Sequence, residues 1–271
     1  MTKLFLILFT ISSINCHSQV RKLESPAEKK TRQDAIIQEH VYDCADKINY
    51  TVMMQEYQNC VDAGIEKDST IAYLWQQKAM PYFKARKYEA GMVYINKAVK
   101  YDAARWQPYR AFIKCIFAKT YQDAIIDFED CKKKYGNNYE MDHTFDFYIA
   151  LCNLQLNKYP EAEKLLANYI ADMKAKNGES WVHPTALFYY GVSLYEQRKW
   201  EEADVAFNRA LSLYPNFSDA KFYKGICQGR LGNTEEYQRL LNESEADYKI
   251  GYGLNEDNVI YETYPYQKKW K

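Results

Sequence analysis

Apolar side chains recur along most of the chain with the period of an α-helix, and the pattern itself repeats. It is clearest in residues 184–217, where small residues stand at Gly191, Ala203 and Ala210. The second follows the first by 12 positions, the third follows the second by 7, and large residues such as Phe207 lie between them. Small side chains at these intervals let two helices approach closely while large ones interlock. A pair of packed helices is therefore predicted here.

The same spacing of small and large residues recurs through most of the chain. In one unit, Phe112 or Ile113 stands where a small residue is expected, so either the helices separate slightly or the register shifts by one residue. In the last unit, Tyr237 replaces a small residue, as expected of a terminal repeat on which no neighbour stacks. The predicted units lie at residues 38–71, 72–105, 105–139, 143–176, 184–217 and 218–250.

This pattern resembles the tetratricopeptide repeat, in which Leu-Gly and Tyr are followed by Ala, Phe, Ala and Pro at set spacings. Residues 184–217 carry it as Tyr190-Gly191, Ala203, Phe207, Ala210 and Pro215. The resemblance implies an all-α fold, a right-handed superhelical solenoid of about six helix-turn-helix units that would occupy residues 38–250. It also implies that the first helix of each pair lines a concave groove that binds extended peptides or partner helices.

The first 18 residues have the features of a secretory signal peptide. Lys3 precedes a short apolar stretch and then small polar residues up to Ser18, so cleavage is predicted after Ser18. One alternative is a lipid anchor at Cys16, although Ser13 stands where a lipid-attachment motif has Leu. A buried N-terminal strand is another. The protein is thus predicted to be exported to the periplasm or cell envelope, with an outer-membrane lipoprotein as the alternative.

Residues 19–37 are predicted to be a polar lead followed by the start of the first helix. Ser25 and Glu28 have the spacing of a capping box, and Pro26 stands at the first helical position. The first helix is therefore expected to begin at Pro26.

Composition narrows the functional classes. The chain has 36 Lys and Arg residues against 36 Asp and Glu residues, and this balance gives no basic surface for nucleic acid or anionic lipid. Only 10 Gly and 7 Pro occur, too few for the many turns of an all-β fold. No run of 18 apolar residues follows the signal segment, so no transmembrane span is predicted.

The sequence offers no clear catalytic or metal motif. No GxSxG, HExxH or GxxxxGK[ST] motif occurs, so the protein is predicted not to be an enzyme. The histidines share no ligand spacing with one another or with the cysteines, so neither a metal nor a cofactor is expected. An exported protein reaches an oxidising compartment, where disulfides can form. Cys44 and Cys60 could face each other across one helix pair, but burial of the cysteines as small apolar residues is the favoured interpretation.

The inward positions of the first helices are the candidate partner-binding residues that the resemblance implies. Lys84, Arg110 and Lys114 form a small basic cluster among them, which with Asn49 would only partly match the carboxylate clamp of some family members. Core packing or contact with the chain's own tail is the alternative interpretation for Phe147, Phe188 and Phe222. The candidates are Tyr42, Asn49, Tyr50, Tyr73, Gln76, Met80, Phe83, Lys84, Gln107, Arg110, Lys114, Phe117, Phe147, Leu151, Phe188, Tyr195 and Phe222.

Residues 251–271, which we call the tail, have no helical period and are rich in tyrosine. A disordered segment is seldom so aromatic, so the tail is expected to pack on the last helix, to lie along the groove or to await a partner. Docking is predicted for Tyr261 to Trp270. The Tyr264-Pro265-Tyr266 ending resembles the ends of exported repeat proteins from Bacteroidetes-like bacteria.

Together these features predict a non-enzymatic, exported scaffold or adaptor that binds a protein or peptide in its concave groove. Aromatic residues would supply affinity, and Arg110 and Lys114 specificity. A glycan-binding envelope protein is one alternative, because stacked Tyr and Trp also suit sugars. An accessory subunit of an envelope complex is another.

Overall fold

Twelve α-helices pack as six successive pairs within residues 24–271, which are the residues that the computed structural model describes. The predicted signal segment, with its alternative lipid site at Cys16, lies outside them. The predicted all-α, right-handed superhelical solenoid is confirmed. The helices are α1 (Pro26–Ile37), α2 (Met54–Lys67), α3 (Ala72–Lys84), α4 (Tyr88–Tyr101), α5 (Ala103–Phe112), α6 (Tyr121–Tyr135), α7 (Phe145–Gln155), α8 (Tyr159–Asn177), α9 (Pro184–Glu196), α10 (Trp200–Leu213), α11 (Ser218–Arg230) and α12 (Thr234–Lys249).

The first helix begins where its capping signals predict. The Ser25 hydroxyl accepts the N–H of Glu28 at 3.3 Å, and the Glu28 carboxylate accepts the N–H of Ser25 at 2.8 Å. Both bonds satisfy N–H groups that a helix start leaves unpaired. After Ile37 the helix widens into a π-helical turn over Gln38–Tyr42.

Five of the pairs share one turn conformation between their two helices. The residue in the middle of each turn has a φ between +58° and +90°, in the left-handed region. Only the last of these residues, Gly232, is a glycine, so the other four carry a side chain in a backbone conformation that disfavours one. The five residues are Arg86, Lys119, Asn157, Arg198 and Gly232.

The small residues of the repeat lie where helices touch. A Cβ added at Gly191 would lie 2.6 Å from Cε1 of Phe207, and one added at Gly91 would lie 2.4 Å from Cε1 of Phe83. Ala203 is fully buried. The spacing of small residues that defines the repeat therefore marks the positions where helices contact each other.

The predicted unit at residues 105–139, in which a large residue stands where a small one is expected, contains a π-helical turn. α5 ends at Phe112 and continues as a π turn over Ile113–Phe117, and both Phe112 and Ile113 are buried. A π turn takes up one more residue than an α turn. The register therefore shifts within this helix, which was one of the two predicted outcomes.

Two irregular segments flank the fourth pair. Before α7, Tyr139–Glu140 and His143–Thr144 form a short antiparallel hairpin in which Glu140 pairs with His143. After α8, a 3-10 turn at Glu179–Trp181 leads to His183, the N-cap of α9. These insertions place two histidines at the amino-terminal ends of neighbouring first helices, α7 and α9.

The buried side chains form two cores. The N-terminal core joins α1, α2 and the start of α3 through residues such as Val41, Tyr57 and Leu74, and a disulfide between Cys44 and Cys60 lies beside it. The main core runs from Ala79 to the tail. Cys115, Cys131, Cys152 and Cys227 are buried thiols. No helix within residues 24–271 is long and apolar enough to cross a bilayer.

Candidate functional site

The tail lies on the surface formed by the first helices of pairs two to six (α3, α5, α7, α9 and α11), which we call the inner face. From the end of α12 it passes α11 at Leu254 and α5 at Asn258, and reaches the end of α3 at Tyr261. It then returns past α9 at Pro265 to α11 at Lys268. The tail thus crosses most of the inner face twice.

One carboxylate of α11 holds both passes of the tail. Asp219 is 1% exposed, and its Oδ2 accepts the N–H of Leu254 at 2.7 Å. Its Oδ1 accepts the N–H of Lys268 at 2.5 Å. Main-chain hydrogen bonds of this kind recognise an extended backbone regardless of its side chains. Asp219 therefore serves as an anchor for an extended segment.

The tail turns back at Tyr261 and Glu262, and side chains of the second and third pairs hold this turn. Lys84 donates to the Tyr261 hydroxyl at 3.1 Å, and its ammonium lies 4.3 Å from the centre of that ring. Tyr88 and Lys119 donate to the carboxylate of Glu262. Burial raises the pKa of Glu262, but these hydrogen bonds outweigh it and hold the pKa below its usual range. Glu262 is therefore a charged anchor.

The returning pass is held by aromatic contacts. The hydroxyl of Tyr189 donates to the carbonyl of Pro265 at 3.0 Å, and burial raises the pKa of Tyr189 well above its usual value, so the proton stays in place. Trp270 meets Phe222 edge to face with centroids 5.8 Å apart, and its indole donates to Ser244 at 3.3 Å. The predicted docking of Tyr261 to Trp270 is confirmed, with contacts on both the inner face and the last pair.

Many of the candidate partner-binding residues lie inside the protein. Phe147 stacks on the His143 ring, and Phe188 packs against Phe207 and Phe217. These contacts agree with the core-packing interpretation of the two phenylalanines. The buried candidates are Gln76, Phe83, Gln107, Phe117, Phe147, Leu151 and Phe188.

The other candidates keep some exposed surface. Phe222 contacts the tail, Tyr73 stacks on Trp106 with centroids 6.3 Å apart, and Tyr195 packs against Trp200. The exposed or half-buried candidates outside the basic cluster are Tyr42, Asn49, Tyr50, Tyr73, Met80, Tyr195 and Phe222.

The structure does not bring the three basic candidates together as a free cluster. Arg110 makes a two-pronged ion pair with the buried carboxylate of Asp127, at 2.6 and 2.8 Å. Lys114 donates to the same carboxylate at 2.7 Å. Lys84 lies apart, against Tyr261. Two of the three cations therefore share the single carboxylate of Asp127, and the third holds the tail.

An open cleft remains where the tail turns. It has a volume of about 430 Å³ and lies between the loop before α2 and the end of α3. Its lining is largely apolar, with Lys84 and Lys87 as its charged groups. The cleft is lined by Tyr50, Thr51, Met54, Pro81, Lys84, Ala85, Lys87 and Tyr261.

A second arrangement escapes sequence analysis because its members are far apart in the chain. His143, His183 and Glu256 each place a ligand-type atom within 4.8 Å of the others. Burial and the neighbouring His143 lower the pKa of His183, which keeps that ring neutral. Burial raises the pKa of Glu256, but the hydrogen bond from His143 outweighs this effect and helps to hold the pKa below its usual value. A neutral imidazole and a charged carboxylate are forms that bind metals.

Comparison with known proteins supports the repeat and the fold. A tetratricopeptide repeat model matches residues 184–217. No curated protein matches the chain in sequence. Several solved structures share the fold at low identity.

The crystal structure of PilW, described as a widely conserved type IV pilus biogenesis factor, is similar with a TM-score of 0.61 at 12% identity, covering 80% of this chain and 94% of PilW. MamA from Desulfovibrio magneticus has a TM-score of 0.55 at 14% identity, over 66% of this chain and 96% of MamA. YrrB, described as having an unusual peptide-binding site, has a TM-score of 0.50 at 16% identity, over 70% of this chain and 93% of YrrB. This chain therefore carries a tetratricopeptide repeat at residues 184–217 and has the fold of tetratricopeptide-repeat solenoids.

Proposed function

We propose that the protein is a non-enzymatic, exported scaffold whose inner face binds an extended segment of a partner protein. The observation that carries this proposal is the tail itself. It is an extended, non-helical segment held by main-chain hydrogen bonds to Asp219, by the Tyr189 hydroxyl and by aromatic packing. A surface that holds one such segment has the donors, acceptors and pockets to hold another.

The partner segment competes with the tail in this proposal. Binding would begin at the cleft beside Tyr50 and Lys84, because this end of the inner face is open. Apolar or aromatic side chains would enter the cleft, and a carboxylate would pair with Lys84 in place of the Tyr261 hydroxyl. We assign no role in specificity to Arg110 and Lys114, because both are paired with Asp127.

Export to the periplasm or cell envelope is part of the proposal. The Cys44–Cys60 disulfide supports it, because disulfides persist in oxidising compartments and are rare in the cytosol. The predicted signal segment at residues 1–18 is the second support. Mass spectrometry of the mature protein tests this part, and the expected amino terminus is Gln19. An intact Met1 would contradict it.

Capture from an envelope extract tests the binding proposal. Immobilised wild-type protein would be compared with Tyr264→Ala, which loosens the tail because Tyr264 is 4% exposed. Tyr252→Ala is the matched control, because this tail tyrosine is 40% exposed. We expect Tyr264→Ala to retain more of a specific partner than either of the others. An excess of a synthetic peptide covering residues 254–270 should release that partner.

Two outcomes would contradict the proposal. Equal capture by all three proteins, unaffected by the peptide, would place partner binding away from the inner face. Binding to a glycan array with no protein recovered from the extract would favour the glycan-binding alternative.

A further inference from the structure

We propose that His143, His183 and Glu256 form a binding site for Zn²⁺ or a similar divalent transition-metal ion, and that the bound ion fastens the tail to the solenoid. His143 begins the second strand of the short hairpin before α7, His183 caps α9, and Glu256 belongs to the tail. An ion held by all three would join two neighbouring pairs and the tail at one point. This inference does not depend on whether the inner face binds a partner.

The geometry of the cluster is close to that of a three-ligand site. Nε2 of His143 lies 3.1 Å from Oε1 of Glu256, and Nδ1 of His183 lies 4.0 Å from the same oxygen. Ligand atoms around a tetrahedral zinc ion lie roughly 3.3 Å apart, given metal–ligand distances of about 2.0–2.2 Å. The largest separation in the cluster is 4.8 Å, so a small movement of one ring would complete the site.

His143 is already positioned as a metal ligand. Its ring stacks on Phe147 with centroids 3.7 Å apart, and its second nitrogen, Nδ1, lies 3.2 Å from the Tyr169 hydroxyl. A ligating histidine donates its second ring N–H to an acceptor, and this hydrogen bond fixes its tautomer and orientation. Nε2 is hydrogen-bonded to Glu256 in the structure; an incoming ion would displace the Nε2 proton, and Nδ1–H would then donate to the Tyr169 hydroxyl and leave the Nε2 lone pair for the metal.

His183 is the ring that must move. Its Nδ1 accepts the N–H of Thr185 at 3.3 Å as the cap of α9, and its side chain is 35% exposed. The exposed side leaves room for the ring to turn, and it also gives an incoming ion a path from solvent. The same opening provides a fourth position for water, as in zinc sites with two histidines and one carboxylate.

The composition of the site selects the class of ion. Two imidazoles and one carboxylate suit Zn²⁺, Co²⁺, Ni²⁺ or Cu²⁺ better than Ca²⁺ or Mg²⁺, which prefer oxygen ligands. We therefore expect no binding of Mg²⁺ at concentrations that saturate the site with Zn²⁺.

Calorimetric titration of the untagged, mature full-length protein with ZnCl₂ tests the site. We expect one ion per chain in the wild type, and a loss of affinity of roughly 100-fold in His183→Asn and Glu256→Gln, because even outer partners of a ligand cost 10–100-fold. His40→Asn is the matched control, since His40 lies 3.5 Å from Glu39 in a histidine–carboxylate pair outside the site. Equal zinc affinity in wild type, His183→Asn and Glu256→Gln would overturn the proposal, as would the absence of binding by the wild type.

A second readout separates metal binding from a merely structural role of the three residues. Co²⁺ should give visible absorption bands of a tetrahedral site in the wild type and in His40→Asn, but not in Glu256→Gln. His183→Asn tests the same point with a half-buried residue, so it remains informative if Glu256→Gln does not fold. Zinc should also slow amide hydrogen exchange of residues 254–258 in the wild type. Unchanged exchange with zinc bound would show that the ion does not fasten the tail.

Discussion

The two ends of this solenoid are closed in different ways. At the start, α1, α2 and the beginning of α3 surround a small separate core, and the Cys44–Cys60 disulfide links its parts. In the rest of the chain, one continuous core extends from α3 to the tail, and Leu254 and Tyr264 of the tail belong to it. The terminal repeats of a solenoid lack a neighbour on one side. Here a covalent link stabilises one end, and the chain's own tail covers the inner face beyond it.

The boundary between the two regions lies near the end of α3. Tyr73 packs against both cores, and Tyr261 of the tail shares the cleft and Lys84 with Tyr50 of the first pair. The tail therefore supports the main region and leaves the first pair to its disulfide. Removal of the tail should therefore lower stability mainly in the main region, and loss of the disulfide should lower it mainly in the first pair.

Removal of the tail should have the largest effect. We expect a chain that ends at Gly253 to lose about 3–6 kcal/mol of unfolding free energy, since Leu254 and Tyr264 are nearly fully buried and each contributes about 1.5–3 kcal/mol. Asp219 would also lose both of the tail N–H groups that it accepts. Chemical denaturation measures the loss.

Hydrogen exchange gives the regional control for this deletion. Protection should fall in α7, α9 and α11 and stay unchanged in α1 and α2. A uniform fall along the whole chain would show that the two regions are not independent.

Reduction of the disulfide should have the next largest effect, in the opposite region. The bond closes a loop of 16 residues, so Cys60→Ser should lower the stability of the first pair by about 2–3 kcal/mol. Exchange should accelerate in α1 and α2 while the tail keeps its protection. Cys227→Ser, which changes a buried thiol of the main core, is the control. Equal effects of both variants on α2 would contradict the separation of the regions.

The repeat was predictable because helix contact leaves a periodic trace in the sequence. Gly191, Ala203 and Phe207 predict their own packing from spacing alone. The π-helical turn after α5 was predicted only as one of two ways to accommodate Phe112. A single sequence does not distinguish a register shift from a wider separation of the helices, because both accommodate a large residue at this position.

The site was less predictable because it depends on contacts between distant residues. The aromatic composition of the tail predicted that it packs, but its path depends on Asp219 and Tyr189, which have no local signature. His143 and His183 are 40 positions apart and meet only after α7 and α8 have folded. The predicted unit bounds place His143 at the start of the fourth unit and His183 in the gap before the fifth, and neither position predicts that the two rings meet.

The two regions should also respond to pH with opposite signs. Burial raises the pKa of Glu140, in the hairpin before α7, to about 7 from an ordinary value of 4.5, despite the nearby Arg105. This contribution to stability is present below pH 4.5 and is lost as pH rises through 7. In the first pair, burial raises the pKa of Asp68, but hydrogen bonds from Thr70, Gln33 and Arg32 lower it more, so stability there is lost as pH falls below 3.8.

Glu140→Gln checks the first of these trends. We expect the variant to be more stable than the wild type by about 1–3 kcal/mol at pH 8 and equal to it at pH 4, because the amide is never charged. Thermal unfolding between pH 4 and pH 8 measures the difference. Stabilisation of the same size at pH 4 would mean that packing, and not charge, is responsible.

The smallest expected effect comes from two buried helical glycines, one in each region. A Cβ at Gly191 would lie 2.6 Å from the ring of Phe207, which is itself fully buried in the main core. Overpacking of this kind costs about 1–3 kcal/mol, and replacing a helical glycine with alanine returns about 0.5–1 kcal/mol. Gly191→Ala should therefore lower stability by about 1 kcal/mol.

A Cβ at Gly64 would lie 3.1 Å from Cβ of His40, at the edge of the smaller core, where a shift of a few tenths of an ångström relieves the contact. Gly64→Ala should therefore leave stability nearly unchanged, because relief of strain and helix propensity offset the contact. Denaturant midpoints for the two variants measure the difference, and a larger loss for Gly64→Ala would show that the first pair is the more tightly packed region.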